Sequence, residues 1–352
     1  MRAFTKPLIA IVAVCLAGLL LSGCPAKPVE DTTSTIESEP WPDAATEPTE
    51  PEPVALERPE GAPEPPVEPS EGWAEIRVAA TILTRKHPFY KELEAALVEA
   101  AEDHNITLDV QSSEFDSQKQ RAQVQNFVVE GYDAIIVCPA DSDSVGGAIQ
   151  LANDAHIPVF TADIAANSGD VVANVASDNV QGGRLAGEYL AEALGGAGEV
   201  IIIDHPTVTS VQDRVRGFEE ALAEHEGMTV VDKPAADGQR DKAQKRAQNA
   251  LLANPGAKAI FGINDDSALG ALAALRQAGN EDILIIGYDA TEEARKEILA
   301  GSPLVADVVQ YPDWIARLTI EAIVKYLSGE DVPDEIPVPV GIVDKAALEA
   351  GA

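Results

Sequence analysis

Three strand ends carry the residues best suited to chemistry. In FGINDDSALGALAAL (261–275) a short apolar run ends in Asn264, Asp265, Asp266 and Ser267, and an apolar helical pattern follows. The runs IPVFTAD and ILIIGYD end in Asp163 and Asp289. Polar groups at the carboxyl ends of strands sit where open α/β sheets hold their ligands. A lone aspartate there is better explained as a helix cap. Two aspartates and an asparagine on three strand ends point instead to a ligand in a shared cleft. Covalent chemistry finds little support. The sequence has no G-x-S-x-G elbow, no Walker loop, and no G-x-G-x-x-G after its first strand. DSDSVGG (141–147) fails as a calcium loop, because Val145 stands where an oxygen is needed. The five histidines show no metal-ligand spacing. No cofactor and no metal is expected.

The elements that must position these groups are legible from Ile76 onward. Nine short apolar runs, from IRVAATIL to LVADVV, alternate with helical patterns. Most runs lack polar alternation, as strands buried on both faces do. Phe89, Leu93, Leu97 and Ala100 form one helical stripe; Val215, Phe218 and Leu222 form another. The fold class is therefore α/β, with parallel sheets covered by helices on both faces. Nine strands are many for one such sheet, so two sheets of about four to six strands are expected. VVANVASDN follows IPVFTAD with no helical pattern between them. That break predicts a crossing between lobes near Ser177.

The N-terminal region is a different material. MRAFTKP, the apolar run LIAIVAVCLAGLLL and the small residues SGC describe an export signal over 1–23. Residues 24–72 hold half of the chain's 24 prolines, interleaved with glutamate. Such a segment cannot bury enough surface to fold, and its prolines and like charges extend it into a stalk. Acids outnumber bases 59 to 25, for a formal charge of −34. That balance excludes a groove for nucleic-acid phosphates. Of the three cysteines, Cys15 lies in the leader and Cys138 in the apolar run AIIVC, so no internal disulfide framework is available.

Residues 76–340 resemble the ribose-type periplasmic sugar-binding proteins, the substrate-capture subunits of ABC importers. The matching stretches, in the family's order, are HPFY (87–90), PADSDSVGGAIQLAN (139–153), IPVFTAD (157–163), ASDNVQGGRLAGEYL (176–190), DRVRGFEEAL (213–222), INDDSALGAL (263–272), GYDATEE (287–293) and VVQYPD (308–313). Leu21-Ser22-Gly23-Cys24 resembles the lipobox of bacterial lipoproteins, which implies lipidation at Cys24 and a membrane anchor. The resemblance implies two Rossmann-like lobes joined by a three-strand hinge, the type I periplasmic binding protein architecture. Lobe one would be 75–177 plus 311–338, and lobe two 178–310 plus 339–352. Periplasmic binding proteins close about such hinges. Carried over residue by residue, Asp163 and Asp289 would accept sugar hydroxyl protons. Arg214 would grip ring or hydroxyl oxygens, Asn264 would donate and accept, and Gln310 would sit at the hinge. Phe89 and Tyr90 would pack on the apolar face of the ring, and His87 would touch the ligand where ribose binders carry asparagine. Two further departures from the family matter. Ile164 replaces an arginine, and Gly238 stands where an aromatic ring closes the sandwich, so one wall would be open. His205 is expected to be structural. The implied function is capture of a monosaccharide or similar polyhydroxylated solute for an ABC permease, without catalysis. A receptor lobe reporting to a membrane sensor is the alternative. A transcription regulator would need a basic helix-turn-helix at the N-terminus, where this chain has an acidic stalk.

Overall fold

The computed structural model describes residues 76–351. The leader, Cys24 and the proline-rich stalk lie outside the described residues. The first run of elements is β1 (Ile76–Ile82), α1 (Pro88–Asp103), β2 (Ile106–Ser112), α2 (Ser117–Glu130), β3 (Ala134–Val137), α3 (Gly146–Asp154), β4 (Val159–Ala162) and β5 (Ala173–Ser177). A second run follows: α4 (Asn179–Ala193), β6 (Ala197–Ile203), α5 (Thr209–Ala223), β7 (Gly227–Asp232), α6 (Arg240–Ala253), β8 (Ala257–Gly262), α7 (Asp265–Ala278), β9 (Leu284–Asp289), α8 (Glu292–Leu299) and β10 (Leu304–Val309). The chain ends with α9 (Pro312–Leu327), β11 (Glu335–Val338), β12 (Gly341–Asp344) and α10 (Lys345–Ala350).

The described strands form two six-stranded sheets, β11-β5-β4-β3-β1-β2 and β12-β10-β9-β8-β6-β7. Every pairing is parallel except that of β10 with β12. The two sheets are the two α/β lobes. The chain passes from the first to the second after β5. It returns with α9, which packs on α1, and crosses again between β11 and β12. The nine apolar runs of the sequence are β1 to β4 and β6 to β10. The structure adds β5, β11 and β12 to them. These carry a weaker signal for a physical reason: β5 alternates buried and half-buried residues, and the other two are four-residue strands at sheet edges.

Local rules set the element ends. Asp116 caps α2 by accepting from the Gln118 and Lys119 amides, and Gly131 at φ 68° stops it in the left-handed conformation. Asn264 caps α7 and Thr291 caps α8 in the same manner. The central strands are aliphatic and fully buried; Ile201, Ile202 and Ile203 are inaccessible to solvent. Each such side chain contributes roughly 1.5–3 kcal/mol by leaving water. Phe218 and Phe261 stack at 4.5 Å beneath the second sheet. Helices α4 and α5 approach unusually closely. A Cβ on Gly183 would press into the Arg214 carbonyl, and one on Gly217 into the Val180 carbonyl. Two glycines therefore let α5 seat Arg214 against the base of the cleft.

Candidate functional site

The site is built from strand ends and helix starts of both lobes. On the first lobe His87 caps α1, its Nδ1 accepting the Phe89 amide at 3.2 Å. Pro88 fits the first helical position because its missing N–H would have no partner there. With Nδ1 used, Nε2 carries the proton. It reaches across the cleft to within 3.2 Å of Asp289 Oδ2 and 4.0 Å of Asp266 Oδ2. The Nε2–Asp289 approach lies off the line of a hydrogen bond, so this buried N–H keeps its donor capacity. Phe89 and Tyr90 follow in the first turn, edge to face at 5.1 Å. The Tyr90 hydroxyl donates to Asp163 Oδ2 at 2.6 Å. Asp163 sits just beyond β4 at φ 69°, a strained conformation for a non-glycine residue.

On the second lobe Arg214 is 4% exposed and fixed on three sides. Its Nε donates to Asn179 Oδ1 at 2.8 Å, one terminal nitrogen to the Ile263 carbonyl at 2.8 Å, and the other to Gln310 Oε1 at 3.2 Å. Its guanidinium lies 3.8 Å above the Tyr288 ring, a cation–π arrangement. Three of the five N–H groups of an arginine are thereby engaged. Gln310, between β10 and α9, ties the crossings together. Its Oε1 also accepts from Ser177 Oγ at 2.7 Å, and its Nε2 donates to Asp289 Oδ1 at 2.5 Å. Asn264 Oδ1 is spent on the Ser267 amide, while Nδ2 meets the Gly238 carbonyl at 3.2 Å.

These groups line one small cavity between the lobes. All eight residues singled out in the sequence line it: His87, Phe89, Tyr90, Asp163, Arg214, Asn264, Asp289 and Gln310. Others were not anticipated. Phe115, held at φ 62° after β2, supplies a ring from lobe one and stands 6.5 Å from the ring of His205. It is an aromatic wall that the glycine at 238 cannot provide. Gly238 itself has φ +62°, and a Cβ there would come 3.2 Å from Asn264 Nδ2. His205, expected to be structural, also faces the cavity. Ile164 lines it with an apolar surface.

Burial dominates the electrostatics. It pushes the Asp163 carboxyl up to about 6, against the opposing pull of the Arg214 charge. Burial raises Asp289 as well, opposed by His87 and Arg214. It lowers His205 to about 4, leaving that ring neutral at pH 7. Arg214 thus stands beside two carboxylates that water does not stabilise.

The lobes are also fastened directly by hydrogen bonds between them. The Ser142 amide donates to the Thr207 carbonyl at 3.0 Å, and the Thr209 amide to Ser142 Oγ at 3.0 Å. Thr209 Oγ1 accepts the Ala165 amide at 3.1 Å and lies 3.2 Å from its carbonyl oxygen. The cleft is therefore closed. Among the described residues no cluster of side chains could hold a metal ion, and no helix is long and apolar enough to cross a membrane.

Residues 78–331 match the model of the family described as periplasmic binding protein domain. The chain is 38% identical over 273 residues to a ribose import binding protein of Salmonella typhimurium, covering 77% of this chain and 92% of that protein. A solute-binding protein of an ABC transporter from Mycobacterium smegmatis, solved with bound glycerol, superposes with a TM-score of 0.75 at 30% identity, covering 79% of this chain and 96% of that one. One from Bacillus halodurans, solved with bound myo-inositol, gives 0.73 at 27% identity, covering 80% and 98%. These relatives bind solutes and are not enzymes. The two interleaved α/β lobes, the closed polar cavity at their strand ends and these likenesses together show that the chain belongs to the periplasmic binding protein family, among the sugar-binding receptors of ABC importers.

Proposed function

We propose that the cavity captures a monosaccharide or similar small polyol and delivers it, by closure of the lobes, to an ABC permease. The observation that carries this reading is the convergence of eight residues from both lobes on one enclosed cavity. In it, Asp163 and Asp289 accept ligand hydroxyl protons. His87 Nε2, the two remaining Arg214 N–H groups and the Asn264 amide donate. Hydroxyls are paired donors and acceptors, so a mixed set of this kind suits them. Phe89 and Phe115 provide apolar surfaces for ring carbons. Ribose import by a relative and the glycerol and myo-inositol bound by two others support a polyhydroxylated ligand. Ile164 removes a strong donor and leaves the choice of sugar different from that of a ribose binder. The same reading places the protein on a membrane through a lipid at Cys24, with the acidic stalk holding the lobes away from the surface. That tether rests on the sequence alone.

A thermal-shift panel of pentoses, hexoses, deoxy sugars and cyclic polyols tests the ligand, since binding to the folded state alone raises the melting temperature. A hit abolished by Asn264→Ala and Asp289→Ala is expected. A panel silent throughout, with a clear non-sugar hit, would overturn the ligand class. Mass spectrometry of the mature N-terminus tests the tether; an unmodified Cys24 would refute it.

A further inference from the structure

Beneath the cavity wall, outside the set of residues that line it, lie two buried carboxyl groups on neighbouring elements. Asp265 opens α7 and Asp307 stands in β10, at 1% and 0% exposure. Burying one charge without a partner is costly, and burying two like charges in contact is worse. Yet neither group is idle. Asp265 Oδ2 accepts the Thr291 amide at 2.7 Å, and Asp307 Oδ1 accepts the Ala290 amide at 3.1 Å. Those are the two amides directly after Asp289. The remaining oxygens, Asp265 Oδ1 and Asp307 Oδ2, are fully buried and receive no N–H or O–H from other residues. Both oxygens crowd the Cα of Gly287, where any side chain would collide with them. The two unpartnered oxygens therefore converge on one point over Gly287, with no N–H or O–H from another residue to separate them. Two ionised carboxylates facing each other there would both stay unsatisfied, whereas one proton held between them gives each oxygen a partner.

We propose that Asp307 and Asp265 share one proton as a buried acid pair, and that this pair is the positioning device that aims Asp289 into the ligand cavity. Asp307, the deeper partner, is the donor. Burial and the adjacent Asp265 both raise its affinity for the proton. The geometry then closes a ring. The pair holds the Ala290 and Thr291 amides, and the Asp265 amide in turn lies 3.3 Å from Asp289 Oδ2. Asp289 and Ala290 have φ of 118° and 54°, conformations that side-chain-bearing residues adopt only when their surroundings enforce them. The acid pair is the enforcing contact. It replaces the need for a cation under the strand end, which leaves the positive charge of Arg214 for the cavity side.

The ligand-dependent part of the proposal rests on the capture function proposed above, so the test has two arms. The first needs no ligand. Infrared difference spectroscopy of the full protein at pH 8, wild type against D307N, is expected to show the carbonyl stretch of a protonated carboxylic acid that only the wild type carries. At that pH the cavity acid Asp163, raised to about 6, is ionised. Absence of the band would overturn the shared proton. The second arm measures affinity for the sugar found by the panel. D307L removes the donor and frees the turn, and is expected to weaken binding about tenfold or more. D307N restores both contacts, its amide donating to Asp265 and accepting from Ala290, and is expected to bind within about threefold of wild type. In a D289N background D307L is expected to add almost nothing, because its effect passes through Asp289. Equal losses in D307N and D307L, or a D307L loss that persists undiminished beside D289N, would overturn the positioning role. Should D307L fail to fold, the band and the D307N affinity still decide. A wild-type protein that binds no member of the panel would refute the capture reading while leaving the infrared result to stand on its own.

Discussion

Asp163→Asn should stabilise the ligand-free protein at neutral pH while weakening ligand capture. The Asp163 carboxyl is 3% exposed and titrates at about 6 rather than 3.8, chiefly because burial disfavours its charge. A shift of about two pH units corresponds to roughly 3 kcal/mol of destabilisation by the ionised form above pH 6. Asparagine removes that cost. It also weakens the charge-assisted bond from the Tyr90 hydroxyl at 2.6 Å, returning about 1 kcal/mol of the gain. The net expectation is about 1–2 kcal/mol, or about 2–8 °C in melting temperature for a domain of this size. Because the folded-state value is raised, the native protein binds the proton more tightly than the unfolded chain. The wild-type penalty is therefore complete above about pH 6, shrinks as the pH falls between 6 and 4, and is gone below the unfolded value. Calorimetric melts of both proteins at pH 7.5, 6, 5 and 4 should show the variant's advantage fading along that series. Ligand affinity of the variant should fall about tenfold or more at pH 7.5, since an amide cannot replace an acceptor-only carboxylate toward a hydroxyl. A variant less stable than wild type at pH 7.5, or an advantage independent of pH, would refute the reasoning.

Arg214→Lys should destabilise the protein by about 2 kcal/mol or more, because one ammonium cannot satisfy Asn179, Ile263 and Gln310 at once and each abandoned buried acceptor costs about 1–3 kcal/mol; a urea melt unchanged within error would contradict this. Thr209→Val keeps the side-chain shape and deletes the hydroxyl that joins the lobes through Ala165. It should enlarge the ligand-free particle in small-angle scattering and reduce affinity by about tenfold through a smaller closed population, and identical scattering profiles would show that the fastening does not bias closure. Gly183→Ala drives a methyl group into the Arg214 carbonyl. It should cost about 1–3 kcal/mol by overpacking, with a melting temperature equal to wild type as the contrary result.

The parallel strands were legible because burial on both faces leaves unbroken runs such as AIIV in β3. The three further strands are two short ones at sheet edges, such as GIVD, and β5, where ANVAS alternates buried and half-buried residues. The site was legible in part through strand-end position and in part through family likeness, and both signals are local. What they could not carry is partnership across the chain. Nothing near Tyr90 announces a hydroxyl bound for Asp163, and nothing near Phe115 shows that a left-handed backbone turns its ring toward His205. Asp265 stood out only as one of four polar residues at a strand end, and nothing in the run LVADVV singled out Asp307. Their meaning depends on a contact between positions that only β9 and β10 pairing brings together.

The interleaving of the two sheets has a consequence for how the chain comes into being. As the chain lengthens from its amino end, the first sheet has five strands by Ser177 but waits for β11 before its sixth is laid beside β5. The second waits for β12. Helix α9, which covers β4 and β5, also arrives late. The first sheet cannot finish until all but the last strand of the second has been made, and the second finishes after it. The contacts that complete both span long stretches of sequence, and such contacts form slowly. A growing chain of this design cannot complete either sheet until its final segment has been made.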